Sequence, residues 1–332
     1  MPSLITRAIK AGARLSIKHN PRTQAGLVRH LRLTMGNPPF PPLLPRGVRV
    51  EKQAGDGVQG DWLRVKNAQE VILYLHGGGY VCGTPRTYHN FCSRIAARIG
   101  ADVLLPVYRL APEHPFPAAV DDAVAAYEYL LAQGWQPRQI SIMGDSAGGG
   151  LTLGTLLALR DAGRPMPKCA VVLSPYADVT LEAASRRLND RSDAMLSLRM
   201  MEVGQRAYVQ DENYRHPYAS PVFGDFSGLP RLMITVCEEE ILRDDAYRVA
   251  EKARAAGIEV AMLSRPDTLH VWPIFVPLMP EAREDLPNIA RFIQSSGRSS
   301  PAKKKRPAGR FSGARYRLRP ARPCPRPQNR NA

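Results

Sequence analysis

Between residues 139 and 159 the chain passes from Gln139-Ile140-Ser141-Ile142-Met143, through Gly144-Asp145-Ser146-Ala147-Gly148, into Leu151-Thr152-Leu153-Gly154-Thr155-Leu156-Leu157-Ala158-Leu159. The first run is short and β-branched, which predicts a buried strand. The last is long and leucine-rich, which predicts a helix. A G-x-S-x-G turn between two such elements holds its serine in strained backbone with the hydroxyl exposed, beside the partial positive charge of a helix N-terminus. Glycines on either side let strand and helix pack closely. The pentapeptide alone also fits a plain glycine-rich turn, so its meaning rests on what surrounds it.

From residue 70 onward, strand-like and helix-like runs alternate. Strands are expected at Glu70-Val71-Ile72-Leu73-Tyr74-Leu75, from Ala101 to Val107, before Ser146, and at 169–174, 231–237 and 258–264. Helices are expected around 86–99, 118–133, 245–256 and 281–295. This rhythm predicts an α/β fold with a mainly parallel sheet covered on both faces. Residues 48–67 alternate in polarity and carry glycines, which suggests antiparallel strands at a sheet edge. Residues 178–228 break the rhythm with charged, helix-prone segments and no clear strand, as a lid inserted after a strand would.

The two ends differ from the body. Residues 1–35 place Leu4, Ile5, Ala8, Ile9, Leu27 and Leu31 at helical spacing among Arg and Lys. That pattern suits a pair of helices packed over the body, or a basic amphipathic helix on an anionic membrane. Asn37-Pro38-Pro39-Phe40-Pro41-Pro42 reads as a rigid extended linker. Residues 1–45 are thus expected to form N-terminal helices and linker, 46–296 the catalytic domain, and 297–332 a basic, proline-rich disordered tail.

Charge excludes one function class. The 332 residues carry a net +16, but residues 1–50 hold nine Lys/Arg and 297–332 hold twelve, with no acid in either segment. The remaining 25 basic and 30 acidic residues give 51–296 a net charge of −5. A mildly acidic body argues against a nucleic-acid-binding core. No stretch approaches 18 apolar residues, and the N-terminus lacks a compact apolar core with a cleavage site, so neither a transmembrane span nor a secretory signal is expected. Five cysteines without a C-x-x-C pair suit reduced thiols in a cytoplasmic protein.

Acyl transfer through a serine needs a base, a group to orient that base, and donors for an oxyanion. In a strand–turn–helix nucleophile fold the chain order is serine, acid, histidine. Of seven histidines only His216 and His270 come after Ser146. His216 lies in the 178–228 insertion, whereas His270 comes after a predicted strand, where a loop at the sheet's carboxyl edge belongs. The acid should end the strand Leu232–Cys237, which is succeeded by Glu238, Glu239 and Glu240, with Asp244 and Asp245 slightly later. Periodicity does not choose among them. His76-Gly77-Gly78-Gly79 after a strand lets backbone N–H groups converge, and Ala147 supplies another at the helix start. No Lys-Ser/Thr comes after these glycines and G-x-G-x-x-G is absent, which weakens a nucleotide-binding reading.

Three motifs together, His76-Gly77-Gly78-Gly79, Tyr108-Arg109-Leu110-Ala111-Pro112-Glu113-His114 and Gly144-Asp145-Ser146-Ala147-Gly148-Gly149, resemble the GDSAG branch of the hormone-sensitive-lipase-like esterases, in the α/β-hydrolase superfamily. The resemblance covers about residues 50–296. The stretch from Glu239 to Asp245, with His270-Val271-Trp272, is similar to monoterpene ε-lactone hydrolases and short-chain acyl esterases. It implies an α/β-hydrolase fold with a helical cap formed by the N-terminal helices and the 178–228 insertion. Ser146 is then the nucleophile and His270 the base. Glu239 holds the position usually taken by Asp, with Glu238 or Glu240 replacing it if the loop is shifted. Gly77, Gly78 and Ala147 are the expected oxyanion donors, while Asp145 and Glu113 brace the loops. The implied activity is hydrolysis of a small-molecule, short-chain ester, with lactone hydrolysis as an alternative on the same residues. A non-catalytic receptor on this fold would lack the histidine. No metal or organic cofactor and no specific nucleic-acid partner is implied, and homodimers through an edge strand or terminal helix are common in the family.

Overall fold

A computed structural model describes residues 2–18, 21–36 and 41–295. The tail expected at 297–332 and the Asn37–Phe40 part of the linker lie outside the described residues. In chain order the elements are α1 (Leu4–Ser16), α2 (Gln24–Met35), β1 (Val48–Gly55), β2 (Val58–Val65), β3 (Glu70–Leu75), α3 (Pro85–Ile99), β4 (Ala101–Pro106) and α4 (Ala118–Ala132). Next come β5 (Ile140–Asp145), α5 (Ala147–Asp161), β6 (Cys169–Leu173), α6 (Ser185–Leu188), α7 (Leu198–Tyr208), β7 (Arg231–Cys237), α8 (Arg243–Ala255), β8 (Val260–Arg265) and α9 (Pro280–Ser295). Each strand and helix expected from residue 48 onward is present, with ends moved by one or two residues.

The eight strands form one sheet in the order β1-β2-β4-β3-β5-β6-β7-β8. The β1–β2 hairpin is antiparallel and joins β4 antiparallel, while β4 through β8 run parallel. The register places Leu73 between Leu104 and Ile142, and Val172 between Gly144 and Ile234. A continuous apolar run such as Cys169–Leu173 is what a strand covered on both faces requires. In β3, Val71, Leu73 and Leu75 enter one core with α4, α5 and α8. Ile72 and Tyr74 enter the other, with α3 and α9.

The expected insertion, 178–228, contains α6 and α7 and no strand among the described residues. Ser197 caps α7 by accepting the Met200 N–H at 3.1 Å. Residues of α2 and α7 share the first core with α4 and α5, so these helices sit on the body over the carboxyl ends of the central strands. Cys82, Cys92, Cys169 and Cys237 are buried, and no disulfide joins them. Among the described residues no helix is long and apolar enough to cross a membrane.

Candidate active site

Strand β5 delivers Ser146 into a sharp turn with φ 52° and ψ −121°. A residue with a side chain is held there at a cost on the order of 1–3 kcal/mol, so the surroundings must over-determine it. They do so through the backbone. Ser146 N–H donates to Leu173 O at 2.8 Å, and Ser146 O accepts from Gly150 N at 3.0 Å and Tyr176 N at 2.9 Å. Helix α5 starts so close to β3 that a Cβ on Gly148 would stand 2.0 Å from Leu75 O. Glycine is therefore required at 148 by close approach.

His270 lies in the loop after β8, and its Nδ1 is 2.7 Å from Glu240 Oε2. Both residues are buried. The adjacent Val271, at φ 53°, donates its N–H to Ser174 Oγ at 3.2 Å, which fixes the loop against the end of β6. With Nδ1–H donated to the carboxylate, Nε2 carries the lone pair. That atom is buried without a hydrogen-bond partner among the described residues, and His270 lines the same cavity as Ser146. Burial works to lower the imidazole pKa. The charge of Glu240 and its hydrogen bond, with the charges of Asp193 and Asp145, outweigh burial and hold the pKa above its ordinary value. Glu240 itself is raised by burial, against the pull of His270.

The structure corrects the expectation for Glu239. Its Oε2 accepts from Asp267 N at 2.7 Å and from Cys237 Sγ at 3.3 Å, and it does not reach His270. Glu238 turns outward to the Tyr247 and Ser264 hydroxyls. The cause is a turn immediately after β7, in which Glu240 N–H bonds back to Cys237 O at 3.3 Å and folds the third glutamate inward. Its Oε1 accepts from Cys237 N at 3.3 Å. Residues of the insertion hold this turn, and the sequence does not announce them. Ser192 Oγ donates to Glu239 O at 3.0 Å. Asn189 Nδ2 donates to Glu238 O and Glu240 O, each at 2.9 Å, and Asp193 Oδ2 accepts from Ile241 N at 2.9 Å. Asp245 is instead paired with buried Arg186 at 2.8 Å, and Asp244 with Arg243. His216 lies near Phe116 and Tyr218, away from the cavity lining.

The glycine loop also departs from expectation at one position. Gly77 N–H donates to Asp145 Oδ1 at 2.9 Å and to Tyr88 Oη at 3.0 Å, so it is occupied and does not face the cavity. Gly78 and Gly79 do line it, at φ 121° and 62°. Gly78 O accepts from Val81 N and Cys82 N at 3.1 Å, which turns the carbonyl back into the loop. Ala147 stands at the start of α5, as expected.

Asp145 braces this loop. Its carboxyl accepts from Tyr74 Oη at 2.9 Å, Tyr88 Oη at 3.1 Å and Gly77 N, and burial pushes it up to about 6 despite these donors. His76 stacks on Tyr108 at 4.3 Å between ring centres, and burial lowers it to about 4, which keeps the ring neutral at pH 7. Arg32 of α2 links the N-terminal helices to the loop. It donates to Val81 O at 2.9 Å and Ala111 O at 3.2 Å, and forms a forked pair with Glu113 at 2.8 and 2.6 Å. Hydrogen bonding to Arg32 holds the Glu113 carboxyl down at about 2.

Above Ser146 opens an apolar cavity. Ile17, Leu27, Leu31 and Met35 wall it from the N-terminal side, and Met195, Leu196, Met200, Met201 and Gly204 from the insertion. The side-chain amide on the wall, that of Gln205, is tied to Val179 O at 2.6 Å. The arrangement joins a serine in a strained turn, a buried imidazole–carboxylate pair, a glycine loop lining the cavity and an apolar chamber.

Residues 72–274 match the family described as alpha/beta hydrolase fold. An acetyl-hydrolase of Streptomyces hygroscopicus is 41% identical over 237 residues, spanning 71% of this chain and 79% of the relative. An esterase of Acinetobacter venetianus is 36% identical over 241 residues, spanning 72% of this chain and 80% of that protein. A solved esterase from the bacterial hormone-sensitive lipase family has a TM-score of 0.81 and 36% identity, covering 89% of this chain and 99% of its own. The esterase EstE5, soaked with p-nitrophenyl butyrate, gives 0.80 at the same identity, with 89% and 99% covered. Fold, chain order and relatives agree: the chain belongs to the α/β-hydrolase family and is a hormone-sensitive-lipase-like hydrolase of the carboxylesterase type.

Proposed function

We propose that this enzyme hydrolyses short-chain carboxylic esters through Ser146, His270 and Glu240. The observation that carries the reading is the buried, unpartnered Nε2 of His270, facing the cavity of Ser146 while Nδ1 is held by Glu240. Ser146 Oγ attacks the ester carbonyl as Nε2 takes its proton. Glu240 keeps the imidazole in the required tautomer and stabilises the imidazolium. The N–H groups of Gly78, Gly79 and Ala147 hold the tetrahedral oxyanion. His270 then protonates the leaving alcohol, and water repeats the sequence to release the acid. The short acyl preference draws support from the acetyl-hydrolase among the relatives and from the butyrate ester used with EstE5. The helices α2 and α7, with Ile17 just past α1, act as the cap over this chemistry.

The test is a panel of p-nitrophenyl esters from acetate to laurate, with fluorophosphonate labelling alongside. Wild type cleaves the short esters and is labelled. Ser146→Ala loses activity on the order of 10⁴-fold or more and stays unlabelled. A wild type inert on every ester, or labelling that persists in Ser146→Ala, would sink the reading.

A further inference from the structure

Helix α1 is tied to the body along one side. Ser3 N–H donates to Glu281 Oε1 at 2.8 Å, the buried Thr6 hydroxyl donates to Glu281 Oε2, and Ala13 is buried. These contacts fix which face points outward. Leu4, Ala8, Ala11 and Leu15 fall within about 60° of one another around a helix of 3.6 residues per turn. All four are exposed, Leu4 at 79% and Leu15 at 88%, with Ile5 beside them at 48%. Of the nine large apolar side chains exposed among the described residues, five lie in the first 43: Leu4, Ile5, Leu15, Leu33 and Leu43. Scattered single apolar residues are ordinary on a protein surface, but a concentrated stripe on one helix is not.

Charge says what covers the stripe. Lys10, Arg14 and Lys18 run along one flank of it, together with Arg7, and the chain has no acid before Glu51. Arg14 and Lys18 rest on main-chain carbonyls between 190 and 193, which are neutral partners. A second copy docking by the same face would set Arg7, Lys10, Arg14 and Lys18 against the same four bases, with no acid in α1 of either copy to offset them. An anionic bilayer offers both complements at once: acyl chains for the leucines and lipid phosphates for the bases.

We infer that the outer face of α1 is a docking surface for anionic lipid bilayers, on which this helix lies in the interface plane. Ile17, just past the end of α1, and Leu27 and Leu31 of α2 also wall the active-site cavity. Docking therefore sets the cavity beside esters dissolved in the bilayer. This is a property of the outer surface and stands apart from the chemistry proposed at Ser146.

The test is cosedimentation of the full chain with vesicles of phosphatidylglycerol and phosphatidylcholine, against phosphatidylcholine alone. The comparison is between wild type and the double variant Leu4→Ser/Leu15→Ser. Both keep the twelve basic residues of 297–332, so their difference isolates the stripe. Wild type binds the anionic vesicles, and the double variant binds them on the order of tenfold or more weakly. Its thermal melt and its rate on water-soluble p-nitrophenyl acetate stay as in wild type, since both positions are exposed and outside the site. Equal binding by the two proteins, or no preference for the anionic vesicles, would overturn the inference. So would a wild-type dimer, seen by light scattering, that the double variant abolishes without any vesicle binding in wild type. Failure of the esterase reading shows separately, as a loss of soluble-ester hydrolysis that does not touch vesicle binding.

Discussion

The floor and the roof of the cavity are built on opposite principles. On the floor, where β5, β7 and the loop after β8 end, position is set by directed bonds: Ser146 by Leu173 and Tyr176, Glu240 by Cys237 and His270, and Asp145 by two tyrosines and Gly77. Each such bond tolerates only a few tenths of an ångström. On the roof, where α2 and α7 meet, the wall is mostly leucine and methionine with one glycine, and its one side-chain amide, that of Gln205, is turned away to Val179 O. Methionine is unbranched and adapts to what it touches. On the mechanism proposed above, the floor determines which reaction is carried out, and the roof which molecule undergoes it.

The sharpest way to break this division is on the floor. Glu240→Gln should lower kcat on the order of 10³-fold, because the amide no longer fixes the tautomer or offsets the imidazolium charge. Glu239→Gln should stay within about threefold of wild type, since its carboxylate bonds Asp267 N and Cys237 Sγ and not His270. Steady-state kinetics on one p-nitrophenyl ester decides it, and the reverse ranking would return the acid to Glu239.

A smaller effect comes from the same pair. The base must be neutral to accept a proton, so kcat/KM rises with pH through the free-enzyme pKa of His270. That pKa is raised, so the acid limb should fall above the ordinary imidazole value of about 6.5. Removing the charge in Glu240→Gln takes away the largest influence opposing burial and leaves only the charges of Asp193 and Asp145 against it, so the residual activity should show its limb at lower pH. A wild-type limb below the ordinary value would contradict the coupling.

The roof is probed at Gly204. A Cβ there would meet Leu27 Cδ2 at 3.7 Å, an ordinary contact, whereas one at Gly148 would strike backbone at 2.0 Å. Packing thus demands glycine at 148 but not at 204, where its effect is to leave room between α7 and α2. Gly204→Leu should lower the octanoate-to-acetate ratio of kcat/KM on the order of tenfold. An unchanged ratio would mean that the chain runs elsewhere in the cavity.

Legibility in the sequence divides along the same line. The alternation of apolar runs fixes strands and helices, because a strand buried on both faces has few other ways to look. Ser146 and His270 emerge from chain order. The choice among three adjacent glutamates does not, because Asn189 and Asp193, some fifty residues earlier, set the turn that folds Glu240 inward. Gly77 departs from its expected role for a related reason: its N–H faces the carboxylate of Asp145, a long-range pairing that a glycine run does not announce. The periodicity of α1 is equally plain in the sequence, but Thr6 and Ala13 take one side of that helix and leave Leu4 and Leu15 on the other.

The bonds from Asn189 and Asp193 bear on how this enzyme can be remodelled. The 178–228 segment looks like a detachable module, bounded by strands and free to vary. Its first third is nevertheless fastened to the turn that carries Glu240, so a graft that replaces it whole would remove part of the support for the acid. Chimeras that keep residues through Asp193 and exchange only the remainder of the segment inherit the catalytic frame intact.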